Sequence, residues 1–229
     1  MKFKPSYTSS IAEDIMAERL IRAQAVEFLA DAPMRLKSGL ISPVYVDNRK
    51  LFSHPEAWRD IVETMASRVE EYDLEFDIVA GVEAAGSMHA AALAYRLGLP
   101  AIMVRQKEKP YGNHSRIEGG DVKDMRVLLL EDHISTGLSC LDAIRALRGE
   151  GAQVTQVMSI TNYAIPETQR LFKQEGIDTY DVIAFEKVVR KAKEMGVIDD
   201  EHEKLVLEWL QTPWTWAAMH GVVASAIEN

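Results

Sequence analysis

Short uninterrupted apolar runs alternate along the chain with stretches in which apolar residues recur every three or four positions. The runs predict strands at residues 44–47, 77–81, 101–104, 126–131, 154–160 and 181–184. The periodic stretches predict helices near 55–72, 87–97, 138–149 and 166–176, with Gly98, Gly149 and Gly176 placed as C-caps. Ile78-Val79-Ala80 and the run from Val127 to Leu130 are apolar throughout, as strands buried on both faces of a parallel sheet require. Strand and helix alternate regularly, which predicts an α/β fold with a doubly wound, mostly parallel central sheet.

Two segments fall outside that alternation. Residues 10–31 are predicted as one long amphipathic helix burying Ile11, Ile15, Leu20, Ile21, Val26 and Leu29. Residues 185–229 carry further helices, and Trp209, Trp214 and Trp216 are expected to dock back on the domain. Between the strands at 101–104 and 126–131, residues 105–120 show neither period. Structureless connections of this length are uncommon in compact domains and usually serve as lids or binding loops. This one carries Arg105, Lys107, Lys109, His114 and Arg116, a cationic cluster suited to an anion.

That cluster opposes the overall charge. With 26 basic and 35 acidic side chains the net charge is −9, which disfavours non-specific binding to nucleic acid or an anionic membrane. The single cysteine, Cys140, excludes an intramolecular disulfide and a multi-cysteine zinc site. It falls in the apolar pattern of a predicted helix, so packing is expected of it rather than reactivity. The N-terminus is polar and no apolar run approaches membrane-spanning length, which makes the cytoplasm the expected compartment.

The densest chemistry lies at residues 127–137, VLLLEDHISTG. An apolar strand runs into two adjacent carboxylates, Glu131 and Asp132, and Ser135-Thr136-Gly137 then opens a helix. Ligands of open α/β sheets collect at the carboxyl ends of strands. Paired carboxylates there accept hydrogen bonds from a vicinal diol or hold magnesium. The turn offers hydroxyls and backbone N–H groups to a phosphate at a helix N-terminus. A ribose carrying a 5-phosphate satisfies both. No G-x-x-x-x-G-K-S/T occurs, which argues against a P-loop nucleotidase, and the glycines of residues 81–86 (GVEAAG) lack dinucleotide-fold spacing. Those two glycines could still bring backbone amides close to a phosphate. In residues 36–49 (LKSGLISPVYVDNR), Lys37 reads on spacing alone either as a solvated turn lysine or as a ligand-binding cation.

Residues 36–49, 105–118 and 127–139 together resemble the orotate phosphoribosyltransferases of the type I phosphoribosyltransferase superfamily. The resemblance covers nearly the whole chain. It implies a single domain over residues 1–229: an N-terminal helix and base-binding hood at 1–50, an α/β core at 51–184 and C-terminal helices at 185–229. It implies that Glu131 and Asp132 bind the ribose hydroxyls of 5-phosphoribosyl 1-diphosphate, and that Ser135, Thr136, Gly137 and Ser139 hold its 5-phosphate. The 81–86 loop would approach the pyrophosphate, which Lys37, Arg105 and Lys109 would serve. Lys37, Tyr45, Val46 and Ser135 would line the orotate pocket. Lys109 and Asp132 would carry catalysis, with Mg²⁺ held through the diphosphate and Asp132 as the candidate protein ligand. The implied assembly is a homodimer in which the lid closes over the neighbouring subunit's site.

The implied reaction gives orotidine 5′-monophosphate and pyrophosphate, in de novo pyrimidine biosynthesis. The alternatives are a phosphoribosyltransferase for another base and a non-catalytic sensor of the same diphosphate on the same fold. Tyr111 stands where the family usually has a lid histidine, Gln106 where many members have lysine, and Leu138 where glycine is usual. Asn162-Tyr163 follow the fifth strand in place of an arginine that binds the orotate carboxylate in some members. Removing a positive charge that meets the leaving group typically costs about a hundredfold in rate. Lys109→Ala is therefore expected to lower turnover by about that factor with the fold intact; near-normal turnover would sink the lid assignment.

Overall fold

The computed structural model describes residues 9–107 and 115–222. Helix α1 (Ser9–Arg22) leads into four short strands, β1 (Val26–Phe28), β2 (Met34–Arg35), β3 (Ile41–Ser42) and β4 (Val44–Val46), and a 3-10 turn at Asn48–Ser53. The core follows as α2 (Pro55–Glu71), β5 (Ile78–Val82), α3 (Ala85–Leu97), β6 (Ala101–Val104), β7 (Ile117–Glu118), β8 (Arg126–Ile134), α4 (Leu138–Gly149), β9 (Gln153–Asn162), α5 (Pro166–Gln174) and β10 (Asp178–Ala184). Helices α6 (Phe185–Glu194), α7 (Asp200–Gln211) and α8 (Trp216–Met219) close the described chain.

Six strands form one sheet in the order β10-β9-β8-β5-β6-β7, parallel except for β7. Alternation within the apolar strands feeds two separate cores. Val79, Leu128, Leu130, Met158, Ile160 and Val182 pack with α1, α2, α3 and α6 on one face. Ile78, Ala80, Val127, Leu129 and Val157 pack with Leu141, Ile144 and Leu147 of α4 and Phe172 of α5 on the other. Because both faces are covered, residues Val127 to Leu130 of β8 can be apolar without a break, and Asp132 and His133 near its C-terminal end are only partly buried.

Several boundaries differ from the sequence pattern. The helix expected over 10–31 ends at Arg22. Gln24 adopts φ 54°, and the N–H groups of Ala23 and Ala25 satisfy the carbonyls of Arg19 and Leu20. Beyond that turn Val26 pairs with Val46 in an antiparallel ladder, so tertiary pairing of β-branched residues overrides the helical period. Val26 is buried as predicted, but within a strand, and Leu29 is only half-buried. The side chain of Ile11 lies outside the described residues. The 105–120 connection contains β7, which pairs antiparallel with β6. Strand β8 runs three residues past its predicted end, so the acid pair lies inside the strand. Trp209 and Trp216 are buried, whereas Trp214 is 56% exposed.

The hood of β1–β4 is fastened from behind. Trp209 Nε1 of α7 donates to the carbonyl of Ile41 at 2.8 Å, and its ring packs edge-on against Tyr163 at 4.8 Å. Tyr163 in turn donates its hydroxyl to the carbonyl of Val44 at 3.3 Å. Among the described residues no helix is long and apolar enough to cross a membrane.

Candidate active site

Glu131 is only 8% exposed, although it sits at the ligand end of the sheet. Its Oε1 accepts the backbone N–H of Asp132 at 3.2 Å, and the Cys140 thiol lies 4.0 Å from Oε2. Burial, then the neighbouring Asp132, pushes the Glu131 carboxyl well above the usual range. Burial raises Asp132 as well, opposed by hydrogen bonds and by the positive charge of Arg49. Arg49 thus compensates the pair only in part, and a ligand bringing hydroxyl donors or a cation would supply the rest.

Glycine lets the neighbouring loop reach these carboxylates. A Cβ on Gly86 would stand 2.7 Å from the Leu130 carbonyl oxygen and 3.3 Å from Glu131 Cα. On Gly81 it would meet the Ser87 backbone at 2.4 Å. Both glycines of the 81–86 loop are thus required by close packing on β8 and α3. Gln106 clasps the same loop: its backbone N–H donates to Glu83 Oε2 at 3.0 Å and its side-chain amide to the Glu83 carbonyl at 2.9 Å. At the position where lysine is common, a neutral amide thus joins the lid's root to the glycine loop.

The turn after β8 is shaped for an anion. Gly137 takes φ 73°, and a Cβ there would meet Thr168 Cγ2 at 2.9 Å and Phe172 Cζ at 3.0 Å. It heads α4 with no side chain capping the helix, and its carbonyl accepts the first helical bond, from Leu141. The N–H groups of the first turn consequently face outward with the helix dipole behind them. Thr168 Oγ1 pins the Ser135 carbonyl at 3.2 Å, while the buried Ser135 hydroxyl makes no hydrogen bond within the protein.

One cavity of about 320 Å³ unites these parts. Lys37, Tyr45 and Val46 of the hood line it opposite Glu131, Ser135, Thr136, Gly137 and Ser139. The turn that presents Lys37 is closed by the Leu36 N–H donating to the Leu40 carbonyl and the Gly39 N–H donating to the Leu36 carbonyl, with Gly39 at φ 90°. Asp132 adjoins the cavity without lining it; its carbonyl accepts from Asn48. Arg105 is also not part of the lining. Its guanidinium pairs with Glu118 at 2.8 Å, and Arg116 ties the lid's other root to Asp142 of α4. Lys109, Tyr111 and His114 lie outside the described residues.

Sequence reasoning missed His133 and did not count Tyr163 or Cys140 as lining. His133 Nδ1 lies 2.9 Å from Thr161 Oγ1, and the ring meets Tyr163 edge-on at 4.1 Å. Burial lowers its pKa to about 3, so the imidazole is neutral. The available signal was a titratable residue directly after an acid pair in an apolar strand. Among the described residues no cluster of three or more His, Cys, Asp or Glu could hold a metal. Two adjacent carboxylates suit magnesium that draws its remaining oxygens from a ligand and water.

The chain matches the family model described as "Phosphoribosyl transferase domain" over residues 47–194. It is 39% identical over 201 residues to an orotate phosphoribosyltransferase of Coxiella burnetii, covering 88% of this chain and 96% of that protein. Among solved structures it resembles the UMP synthase of Leishmania donovani at a TM-score of 0.76 and 26% identity. That match covers 87% of this chain and 42% of the Leishmania one. The orotate phosphoribosyltransferase of Aeropyrum pernix matches at a TM-score of 0.68 and 26% identity, over 80% of this chain and 99% of that one.

A further buried carboxylate, Asp181 of β10, accepts the Ser159 hydroxyl at 2.6 Å, and burial raises its pKa from 3.8 to about 6. A raised folded pKa means stability that is fully present below pH 3.8 and lost as pH rises through about 6. Asp181→Asn should abolish that loss. In denaturant titrations the variant is expected to gain stability relative to wild type as pH rises across this window; a pH-independent difference would contradict it.

Proposed function

The chain belongs to the orotate phosphoribosyltransferases, and on that premise we propose which of its residues do what. The enzyme transfers the phosphoribosyl group of 5-phosphoribosyl 1-diphosphate to orotate, giving orotidine 5′-monophosphate and pyrophosphate in pyrimidine biosynthesis. The observation that carries the assignment is the single cavity joining Lys37, Tyr45 and Val46 to Glu131 and the Ser135–Ser139 turn.

In this reading Glu131 and Asp132 accept hydrogen bonds from the ribose hydroxyls. Their buried, electron-rich oxygens also lie where the sugar ring becomes positive as the C1–O bond to pyrophosphate breaks. Ser135, Thr136, Gly137 and Ser139 hold the 5-phosphate on the α4 N-terminus. Tyr45 and Val46, with Ser135, bound the base so that N1 of orotate faces C1, where the new bond forms. Lys37, Arg105 and Lys109 meet the growing negative charge of the leaving pyrophosphate, for which Arg105 would have to share or exchange its Glu118 partner. Mg²⁺ bound through the diphosphate, with Asp132 as the nearest protein carboxylate, would neutralise part of that charge. Lid closure keeps water from the sugar. The base-binding hood is assigned to residues 1–50, the core to 51–184 and the C-terminal helices to 185–229.

The proposed enzyme is a cytoplasmic homodimer. Helix α3 supports the dimer: Met88 is 47% and Tyr95 91% exposed, with Ala91 exposed between them, an apolar stripe on the helix that starts at the 81–86 loop. In this reading the lid, with Lys109, serves the neighbouring subunit's site. Orotate-dependent pyrophosphate release in the presence of Mg²⁺ is the expected activity, with little release from purine bases. Release with another base but not with orotate would overturn the substrate assignment. Sedimentation is expected to give a dimer; a fully active monomer would refute the shared site.

A further inference from the structure

Asn48 is fully buried in the 3-10 turn that follows the hood. Its Nδ2 donates twice, to the carbonyl oxygen of Asp132 at 2.7 Å and to Thr161 Oγ1 at 3.1 Å. A carbonyl oxygen only accepts, so the amide nitrogen must face β8 and the side chain cannot be flipped. Both of its protons are then used, while Oδ1 is left buried without a partner. An amide tolerates that cost only where its nitrogen is needed.

Thr161 carries the link onward. Its hydroxyl oxygen accepts from Asn48 Nδ2, and the same oxygen lies 2.9 Å from His133 Nδ1. The hydroxyl thus bridges the Asn48 amide and the neutral His133 ring. His133 lines the base end of the cavity beside Tyr163. One amide thus holds the backbone of an acid-pair residue and, through a hydroxyl, the orientation of a base-pocket ring.

We propose that Asn48 is a positioning residue that couples the base pocket to the ribose carboxylates by holding the Asp132 backbone and the Thr161–His133 pair in one register. This rests on the reading of Glu131 and Asp132 as ribose ligands. Three residues upstream on the same segment, Tyr45 lines the base pocket, so a hood settled on its base and a correctly set acid pair share one hydrogen-bonded joint.

Asn48→Asp keeps the shape and replaces the two-proton amide donor with a carboxyl, which can donate to one of the two acceptors at most. It is expected to lower kcat/KM for the diphosphate substrate about tenfold or more, the equivalent of one lost hydrogen bond to a buried acceptor. Thr161→Val should reproduce part of the loss and Thr161→Ser should restore it. Nitrogen NMR of His133 should report one dominant neutral tautomer in wild type and a shifted tautomer balance in Thr161→Val, a change that general loosening would not produce. Wild-type kinetics in Asn48→Asp, or equal kinetics and an unchanged His133 tautomer in the two Thr161 variants, would overturn the proposal. If Asn48→Asp does not fold, the Thr161 pair decides alone. Asp132→Asn is the separate control: unchanged affinity for the diphosphate substrate there would fault the ribose assignment itself.

Discussion

Two carboxylates on consecutive residues, withdrawn from water at the end of a strand, are the constraint on which this molecule turns. They repel one another and are poorly solvated, so each carboxyl is held above its ordinary pKa. Such a pair persists only where rigid surroundings leave it no way to relax. The rigidity comes from β8, covered by helices on both faces, and from parallel neighbours β5 and β9 that fix its register. In the proposed reaction, a sugar whose ring turns cationic would relieve that repulsion most as the bond breaks, favouring the transition state over the bound substrate.

Around that pair, the site is assembled from backbone as much as from side chains. Gly86 and Gly137 are positions where a methyl group would collide with Leu130 or with Thr168 and Phe172. What they permit is close approach of residues 81–86 to β8 and of the α4 turn to α5. The described cations lie at the margins, where Lys37 lines the cavity and Arg105 and Arg116 pair with Glu118 and Asp142.

The alternation of buried runs and helical stretches made the doubly wound core legible, because each strand is long enough to impose its own period. The acid pair and the Ser-Thr-Gly turn were legible too, since their chemistry is contiguous in sequence. Of the hood only β4 was, within the run at 44–47. Its other strands are two or three residues long, too short for any period, and Val26 happens to continue the spacing of α1. Arg105 could be seen as a cation but not as the partner of Glu118, a pairing made by β7 folding back on β6. His133 and Asn48 escaped for a similar reason: they come together across 85 residues of chain, and nothing local marks either as belonging to the other.

The contact between Trp209 and Ile41 gives the C-terminal helices a meaning beyond stability. Helix α7 touches no predicted ligand, yet its indole braces the hood and packs on Tyr163, which itself holds Val44. The cavity wall at Tyr45 and Val46, proposed to bound the base, is therefore supported from outside the α/β core. Substitutions in α7 would reach that wall without touching the acid pair, so in this reading the tail is where selectivity changes without rebuilding the site.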